Sequence, residues 1–226
     1  MYKLEPHLHT YPVSSCSKLE ADELIRLHKE AGYDTVIISD HFSRYHYARL
    51  EIDLRQTMDW ETYVDRFLTG YEAAKAAGEK YGVRTLFSVE LSLGVDHFLL
   101  YGPGKDFLMA RKDLFDLTAE ELYAHAKAHG VTVIQAHPLR DGKCTPHPLC
   151  VDGFEVLNSH PRHNNYNDEV LAIAEQYPHL LRTAGSDVHR EVDVNGSAVL
   201  SETPVESVED YLNLLRSGKA VLWSGT

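Results

Sequence analysis

The 226-residue chain is 43% hydrophobic and 25% charged, a composition typical of globular proteins that excludes a disordered chain. Its net charge of −12 disfavours an extended nucleic-acid surface, because such surfaces are cationic. Cys16, Cys144 and Cys150 are too few for a disulfide framework, and no apolar run is long enough to span a bilayer, so we expect a cytoplasmic protein without membrane contact.

Apolar strand-like runs alternate with helical segments along the whole chain. The first candidate strand ends in the pair His7 and His9, which an extended backbone projects to one face. Buried strands separated by helices predict a mainly parallel sheet or barrel, in one α/β domain covering residues 1–226. The predicted strands are 3–9, 33–39, 83–89, 97–102, 131–136, 153–158, 180–185 and 219–223.

Capping patterns mark the predicted helices. The sequences SKLE at 17–20 and TAEE at 118–121 have the spacing of capping boxes, so each is expected to open a helix. The sequence TPVE at 203–206 places proline at a first helical position, and that helix is expected to end near Gly218. Two further helices are predicted over 60–81 and 167–177.

Polar side chains of metal-ligating types stand at one predicted strand end after another. In a parallel barrel the carboxyl ends of the strands share one rim, where sites are built, so these side chains are expected to converge. Any one of them alone is more often a cap or a core residue, but their repetition favours a metal cluster. Carboxylates can also bridge two cations, which histidine cannot do. The residues are His7, His9, Asp40, His41, Glu90, His97, His137, Asp187 and His189.

Five ordered motifs resemble those of the PHP family, named for its polymerase and histidinol phosphatase members. The motifs are HLH (7–9), SDH (39–41), VE (89–90) with His97, AHP (136–138) and GSDVH (185–189). The resemblance runs from residue 5 to about residue 190 and includes FEVLN (154–158). It implies a distorted TIM-like barrel of about seven strands with outer helices and a metal site at the carboxyl-terminal rim. It also implies two or three Zn, Mn or Fe ions and phosphoester hydrolysis.

The resemblance further implies three metal positions. The first would be held by His7, His9, Glu90 and Asp187. The second would share Glu90 and add His97 and His137. The third would be held by His41 and His189. Asp40 would support these ligands without binding metal.

The loop YPVSSCSK (11–18) departs from the family pattern, which often places a histidine or aspartate there to complete the third position. Ser14 and Ser15 are poor ligands, whereas Cys16 is either a thiolate ligand or a small structural residue. We expect the structural role, so that Cys16→Ser keeps most activity and metal.

Several residues near the predicted rim are candidates for contact with substrate. The segment 40–60 is expected to form a loop over the site, with Phe42, Tyr45 and Tyr47 either packed or touching a substrate ring. His28, His125, His129 and His179 fall in or beside predicted helices, and His46 and His147 have no assigned role. The candidates for binding a substrate phosphate are Arg140, Arg162, His163 and Arg190.

These patterns predict a metal-dependent phosphoesterase, in which a metal-activated hydroxide and no separate protein nucleophile attacks a small phosphomonoester. Three alternatives stay open: a nuclease or cyclic phosphodiesterase acting on short nucleic-acid ends, an amidohydrolase, and an inactive metal-binding interaction module. An amidohydrolase is expected to carry a carbamylated lysine, or an equivalent bridging group, on a middle strand and a single late aspartate. Glu90, the pair Asp40 and His41, and the D-x-H pair at Asp187 fit that pattern less well. The sequence does not indicate an oligomeric state.

Overall fold

The computed structural model describes residues 1–225, apart from the side chain of Leu54. The strands are β1 (Tyr2–Leu8), β2 (Thr35–Ile38), β3 (His41–Phe42), β4 (Arg84–Leu93), β5 (Asp96–Tyr101), β6 (Thr132–Ala136), β7 (Gly153–Asn158), β8 (Leu181–Gly185), β9 (Ser197–Ser201) and β10 (Val221–Ser224). The helices are α1 (Ala21–Glu30), α2 (Arg44–Leu54), α3 (Trp60–Tyr81), α4 (Lys105–Met109), α5 (Ala119–Ala128), α6 (Asn167–Glu175) and α7 (Val208–Arg216). Within residues 1–225, no helix combines the length and apolarity needed to cross a membrane.

The strands form one sheet that curls into a nearly closed barrel with helices outside. Its order is β10-β9-β1-β2-β4-β5-β6-β7-β8, and β3 pairs with β4 beside this path. The barrel closes where the end of β1 meets the segment just after β8. There His9 N donates to Val188 O at 3.3 Å, and Val188 N donates to His7 O at 3.3 Å. This architecture confirms the expected α/β, barrel-like class.

The ring that closes between β1 and β8 consists of β1, β2, β4, β5, β6, β7 and β8, consistent with the barrel of about seven strands that the resemblance implied. The described residues contribute ten strands. The pairs β1–β2, β2–β4, β6–β7 and β7–β8 are parallel, as the apolar runs predicted. The additional strands include the two-residue β3 and the unpredicted β9, which pairs antiparallel with β1 and β10. The sequence of β9, SAVLS, is too short and serine-rich to give a clear strand pattern.

Alternate side chains along each strand point into the barrel, and these inward-facing side chains form an apolar layer and, nearer the rim, a polar layer. Leu86 and Glu90 on β4 are an even number of residues apart and share a face, whereas Val89 packs in the apolar cluster outside the barrel. On β5, Leu99 and His97 share the inner face in the same way. Leu86 and Leu99 belong to one buried cluster that α7 covers. The polar layer therefore stands on a packed apolar floor.

The observed helices confirm some predicted elements and correct others. The predicted helix at 60–81 is α3, and Thr118 and Glu121 form the predicted capping box at the start of α5. The expected start of a helix at 17–20 is wrong, since α1 begins at Ala21 and Ser17 Oγ donates to His9 O at 3.0 Å. The last helix begins after Ser207, not at 203–206, because Ser207 Oγ accepts from Asp210 N. Most of the expected loop at 40–60 is α2.

Candidate metal centre

The barrel brings the eight predicted ligands together at one rim. Parallel strands present their carboxyl ends there, and antiparallel β5 presents its beginning, which explains why His97 reaches the same rim from the start of its strand. The eight residues are His7 and His9 around the end of β1, His41 on β3, Glu90 on β4, His97 on β5, His137 after β6, and Asp187 and His189 after β8. The predicted convergence on one site is therefore what the fold produces.

Glu90 lies at the centre of this cluster and is fully buried. Its carboxylate is surrounded by imidazole nitrogens on both oxygens. Oε1 is 2.9 Å from His97 Nδ1, 3.2 Å from His137 Nε2 and 3.5 Å from His7 Nε2. Oε2 is 2.5 Å from His41 Nδ1 and 3.5 Å from His9 Nε2. Burial alone would raise the pKa of Glu90, but charge on the surrounding imidazoles holds that pKa well below its usual range. The two oxygens of this one carboxylate therefore lie within 3.5 Å of five of the clustered imidazoles.

Asp187 is the second buried carboxylate. Its Oδ1 lies 3.0 Å from His9 Nε2 and 3.6 Å from His7 Nε2, and its Oδ2 lies 2.6 Å from Arg140 Nη2. Burial would raise the pKa of Asp187, but Arg140 and His7 hold it well below its usual range. Asp187 and His137 both have positive φ, at 53° and 31°, which is unusual for residues other than glycine. Backbone in such conformations concentrates at functional sites.

Several buried donor atoms in the cluster fit a divalent cation. His7 Nδ1 lies 2.8 Å from Glu155 Oε1, an interaction that places the ring proton on Nδ1. The Nε2 lone pair then faces Glu90 and Asp187, and His7 Nε2 is buried without a hydrogen-bond partner. A lone pair and carboxylates that face one another repel unless a cation lies between them. Donor atoms of His7, Glu90 and His137, and of His7, His9 and Asp187, also lie within 4.8 Å of one another.

Glu155 is a supporting residue that the sequence interpretation did not single out. Besides holding His7 through Oε1, its Oε2 accepts from His137 N at 3.0 Å and from Asn158 Nδ2 at 2.8 Å. One fully enclosed carboxylate therefore orients two of the predicted ligands, as carboxylates behind metal-bound histidines do. Its sequence signal was a single acidic residue inside the apolar strand GFEVLN.

Asp40 is hydrogen-bonded to the loop that follows β1. Its carboxylate accepts from Thr10 N and Thr10 Oγ1, each at 2.6 Å, and from Ser14 Oγ at 2.7 Å. Ser14 Oγ in turn accepts from His41 N at 2.9 Å. Burial raises the pKa of Asp40 to about 6, against the opposing effect of these hydrogen bonds. Asp40 thereby fixes the loop after β1 against the backbone of His41.

The four candidates for phosphate binding occupy different places. Arg140 reaches Asp187, and its position is fixed by Asn158 Oδ1 at 3.0 Å and Asn165 Oδ1 at 2.9 Å. Arg162 is instead engaged by Asp193 through two bonds of 2.7 Å. His163 pairs with Asp141 near the surface, and Arg190 is exposed. The structure therefore brings Arg140 alone among these four into contact with a predicted ligand.

The remaining residues considered in the sequence lie either at the rim of the barrel or in its packed core. Cys16 and His46 lie against the outer side of the cluster, with Sγ and Nε2 3.9 Å apart. Phe42 packs in the core, whereas Tyr45 is exposed beside His46. His46 was not recognised from the sequence, since it lies five residues beyond the SDH motif. The histidines outside the cluster include His28, which is buried in α1, and the helical or loop residues His125, His129, His147 and His179.

No protein-family model matches the chain, and no curated protein matches its sequence. Several solved structures share its fold. A two-domain protein from Bacteroides vulgatus that contains a predicted PHP-like metal-dependent phosphoesterase aligns with a TM-score of 0.65 and 18% identity, over 99% of this chain and 64% of that one. A lesion-specific endonuclease from Pyrococcus furiosus aligns with a TM-score of 0.62 and 15% identity, over 98% of this chain and 57% of that one. An amidohydrolase from Chromobacterium violaceum, with bound sulfate and no metal, aligns with a TM-score of 0.57 and 14% identity, over 99% of this chain and 98% of that one.

These likenesses establish the fold. This chain has the barrel fold of PHP-like metal-dependent phosphoesterases, as the resemblance implied, and it spans less than two thirds of the Bacteroides and Pyrococcus proteins. The three proteins carry three different descriptions, so the fold does not select one reaction or substrate.

Proposed function

We propose that this protein hydrolyses small phosphomonoesters, using two or three divalent metal ions held by His7, His9, His41, Glu90, His97, His137, Asp187 and His189. The observation that carries the proposal is the convergence of these donors, in which the buried His7 Nε2 has no hydrogen-bond partner. Bound divalent ions would polarise a phosphoryl oxygen and lower the pKa of a coordinated water.

The protein's own groups would prepare the site for this chemistry. Glu155 keeps the proton of His7 on Nδ1, so that Nε2 is free to bind metal. Glu90 and Asp187 supply negative charge that offsets divalent cations, and burial on the barrel floor strengthens this attraction. Positioning donors on barrel strands before substrate arrives also avoids reorganisation during the reaction.

Arg140 would bind the phosphate of the substrate. Its guanidinium lies at the edge of the cluster, 14% exposed, and already contacts Asp187 Oδ2. A planar guanidinium matches two phosphate oxygens at once, and the two asparagines that fix it leave it little freedom to move away.

A neighbouring cavity supports a small substrate. It encloses about 460 Å³ and is lined in part by His41, His97, Tyr45, Arg44 and Phe115. This volume is within the range of small-molecule sites, and the aromatic residues would pack against the organic part of the substrate. The net charge of −12 opposes a long polyanion.

Two other activities follow from the neighbouring folds and serve as competing outcomes. Likeness in fold to the endonuclease raises the alternative that this protein cleaves at a short nucleic-acid end, which its acidic net charge does not prevent. The amidohydrolase favours an amide substrate. Here the position between the donors is taken by Glu90 rather than by a lysine, which favours phosphoester over amide hydrolysis.

The decisive experiment is a substrate panel on protein stripped of metal and reloaded separately with zinc, manganese or iron. We expect phosphomonoester turnover that depends on added metal and exceeds turnover of dinucleotides and amides. Faster cleavage of dinucleotides or amides would overturn the substrate assignment. Metal binding without turnover of any of the three classes would favour an inactive interaction module.

A further inference from the structure

We infer that Cys16 and His46 complete, with His41 and His189, an outer metal position that is held by a thiolate and selects zinc over manganese. This inference rests on the proposed metal centre and deepens it. It replaces the expectation that Cys16 is only a small structural residue, and it assigns a role to His46. We call these four residues the outer group.

Two distances within the outer group are close to those around a tetrahedral zinc ion. His41 Nε2 and His189 Nε2 lie 3.4 Å apart, and Cys16 Sγ lies 3.9 Å from His46 Nε2. Two nitrogens bound tetrahedrally to zinc at about 2.1 Å stand about 3.4 Å apart, and a sulfur at about 2.3 Å stands about 3.6 Å from such a nitrogen. Cys16 also contacts His41 and His189 through its side chain. The two separations are therefore close to those that ligation of one zinc ion requires.

The surrounding structure holds His46 in a ligating orientation. Ser43 is the N-cap of α2, and its Oγ accepts from His46 N at 3.2 Å while lying 2.9 Å from His46 Nδ1. With the ring proton on Nδ1, the Nε2 lone pair points towards the sulfur. His46 is 7% exposed and its ring stacks on that of His41 at 4.8 Å between centroids. The helix start therefore fixes the ring where the outer position needs a nitrogen.

Cys16 is suited to bind metal as a thiolate. The residue is exposed at the rim while its sulfur lies against three imidazoles. Donor atoms of Cys16, His41 and His46 all lie within 4.8 Å of one another. Cys144 Sγ instead donates to a backbone carbonyl, Val95 O, at 3.1 Å. Because thiolates are soft ligands, the set of one sulfur and three nitrogens favours zinc, whereas manganese prefers oxygen ligands.

Cobalt substitution combined with metal counting tests this assignment. Full-length protein loaded with cobalt should show sulfur-to-cobalt charge-transfer absorption in the near ultraviolet. Cys16→Ser should lose that absorption and bind zinc at the outer position at least about tenfold more weakly, so that it holds one ion fewer than wild type after the same loading and desalting. Cys144→Ser is the matched control and should leave the absorption and the metal count unchanged.

Two further variants separate a ligand from a structural residue. Cys16→His should restore the lost ion without restoring the absorption, since imidazole replaces the thiolate as donor. His46→Asn should keep the absorption but weaken zinc retention about tenfold, because the sulfur stays and one nitrogen is lost.

The outcomes distinguish this inference from the proposed function. Wild-type protein that binds metal without sulfur absorption, with unchanged metal counts in Cys16→Ser, would overturn the thiolate assignment and leave the other donors standing. Cys16 would then contact the neighbouring imidazoles without binding metal. Failure of wild type to bind any metal would instead overturn the whole centre, including the proposed reaction. Unchanged zinc retention in His46→Asn would remove His46 from the outer group.

Discussion

The two sides of the candidate metal centre are built in different ways. The inner group consists of His7, His9, Glu90, His137 and Asp187, all at most 1% exposed and placed by barrel strands. The outer group has His41, His46 and His189 at 7–8% exposed and Cys16 on an exposed loop. Inner donors are fixed by ladder hydrogen bonds and Glu155, whereas outer donors depend on Ser14 and Ser43 in loops and at a helix start. The two sides should therefore be separable by mutation.

The largest effect is expected from Glu90→Gln, because Glu90 touches both groups. A neutral amide is a weaker bridge than a carboxylate and cannot offset the charge of two cations. We expect loss of bound metal and a fall of more than about 100-fold in phosphomonoester turnover, since even supporting residues behind metal ligands are worth roughly 10–100-fold. Elemental analysis and turnover assays measure both quantities.

Glu175→Gln, at an exposed position on α6, is the matched control for that substitution. It should retain full metal content and turnover. A Glu90→Gln protein with wild-type metal content would show that Glu90 is not shared between the two groups.

Glu155→Gln should affect the inner group selectively. It keeps the shape of the side chain but weakens its bonds to His7 and His137 N, so metal affinity or turnover should fall roughly 10–100-fold. Sulfur-to-cobalt absorption from the outer group should persist. Simultaneous loss of that absorption, in a variant that unfolds at the wild-type temperature, would mean that the two sides are not independent.

Arg140→Lys tests substrate binding without altering the donor set. Lysine keeps the positive charge but loses the planar fork that would hold two phosphate oxygens. We expect KM for a phosphomonoester to rise about tenfold, as for a loss of about 1.4 kcal/mol, with the metal count unchanged. An unchanged KM would exclude Arg140 from phosphate binding, and a lower metal count would show that Arg140 acts through Asp187.

His28 shows how a buried histidine behaves outside the centre. It lies in α1, with Nδ1 2.7 Å from Leu24 O, and burial lowers its pKa from 6.5 to about 4. Because folding lowers this pKa, the stability contributed by the neutral ring is complete above pH 6.5 and is lost as pH falls through 4. The difference between these two pKa values corresponds to roughly 3 kcal/mol of unfolding free energy at most.

His28→Leu should therefore reduce the loss of unfolding free energy between pH 6.5 and 4 while leaving metal content unchanged. Urea unfolding of the wild type and the variant measures this change in unfolding free energy. Both proteins are unfolded in the presence of a chelator, so that the metal ligands are free of metal and titrate equally in each. The exposed His179→Leu is the control. Equal pH dependence in His28→Leu and wild type would show that folding does not lower the pKa of His28.

The sequence by itself determined the barrel class and the side chains that meet at its rim. Apolar strand runs indicated a mainly parallel sheet, and residues that stand at strand ends must share an edge, so His7, Glu90 and Asp187 could be selected without coordinates. Local rules also sufficed for α3 and for the capping box of α5, because helix periodicity and caps involve residues only a few positions apart.

Only the tertiary structure decided which residues support those side chains. Glu155 holds His7 across 148 positions of sequence, and no local pattern signals such a pairing. The same reason explains the false helix start at 17–20, where Ser17 bonds to His9 O instead of capping a helix. Cys16 and His46 meet only because the loop after β1 and the start of α2 fold over the same rim. Side-chain partners of this kind are set by packing in three dimensions, which the order of residues along the chain does not display.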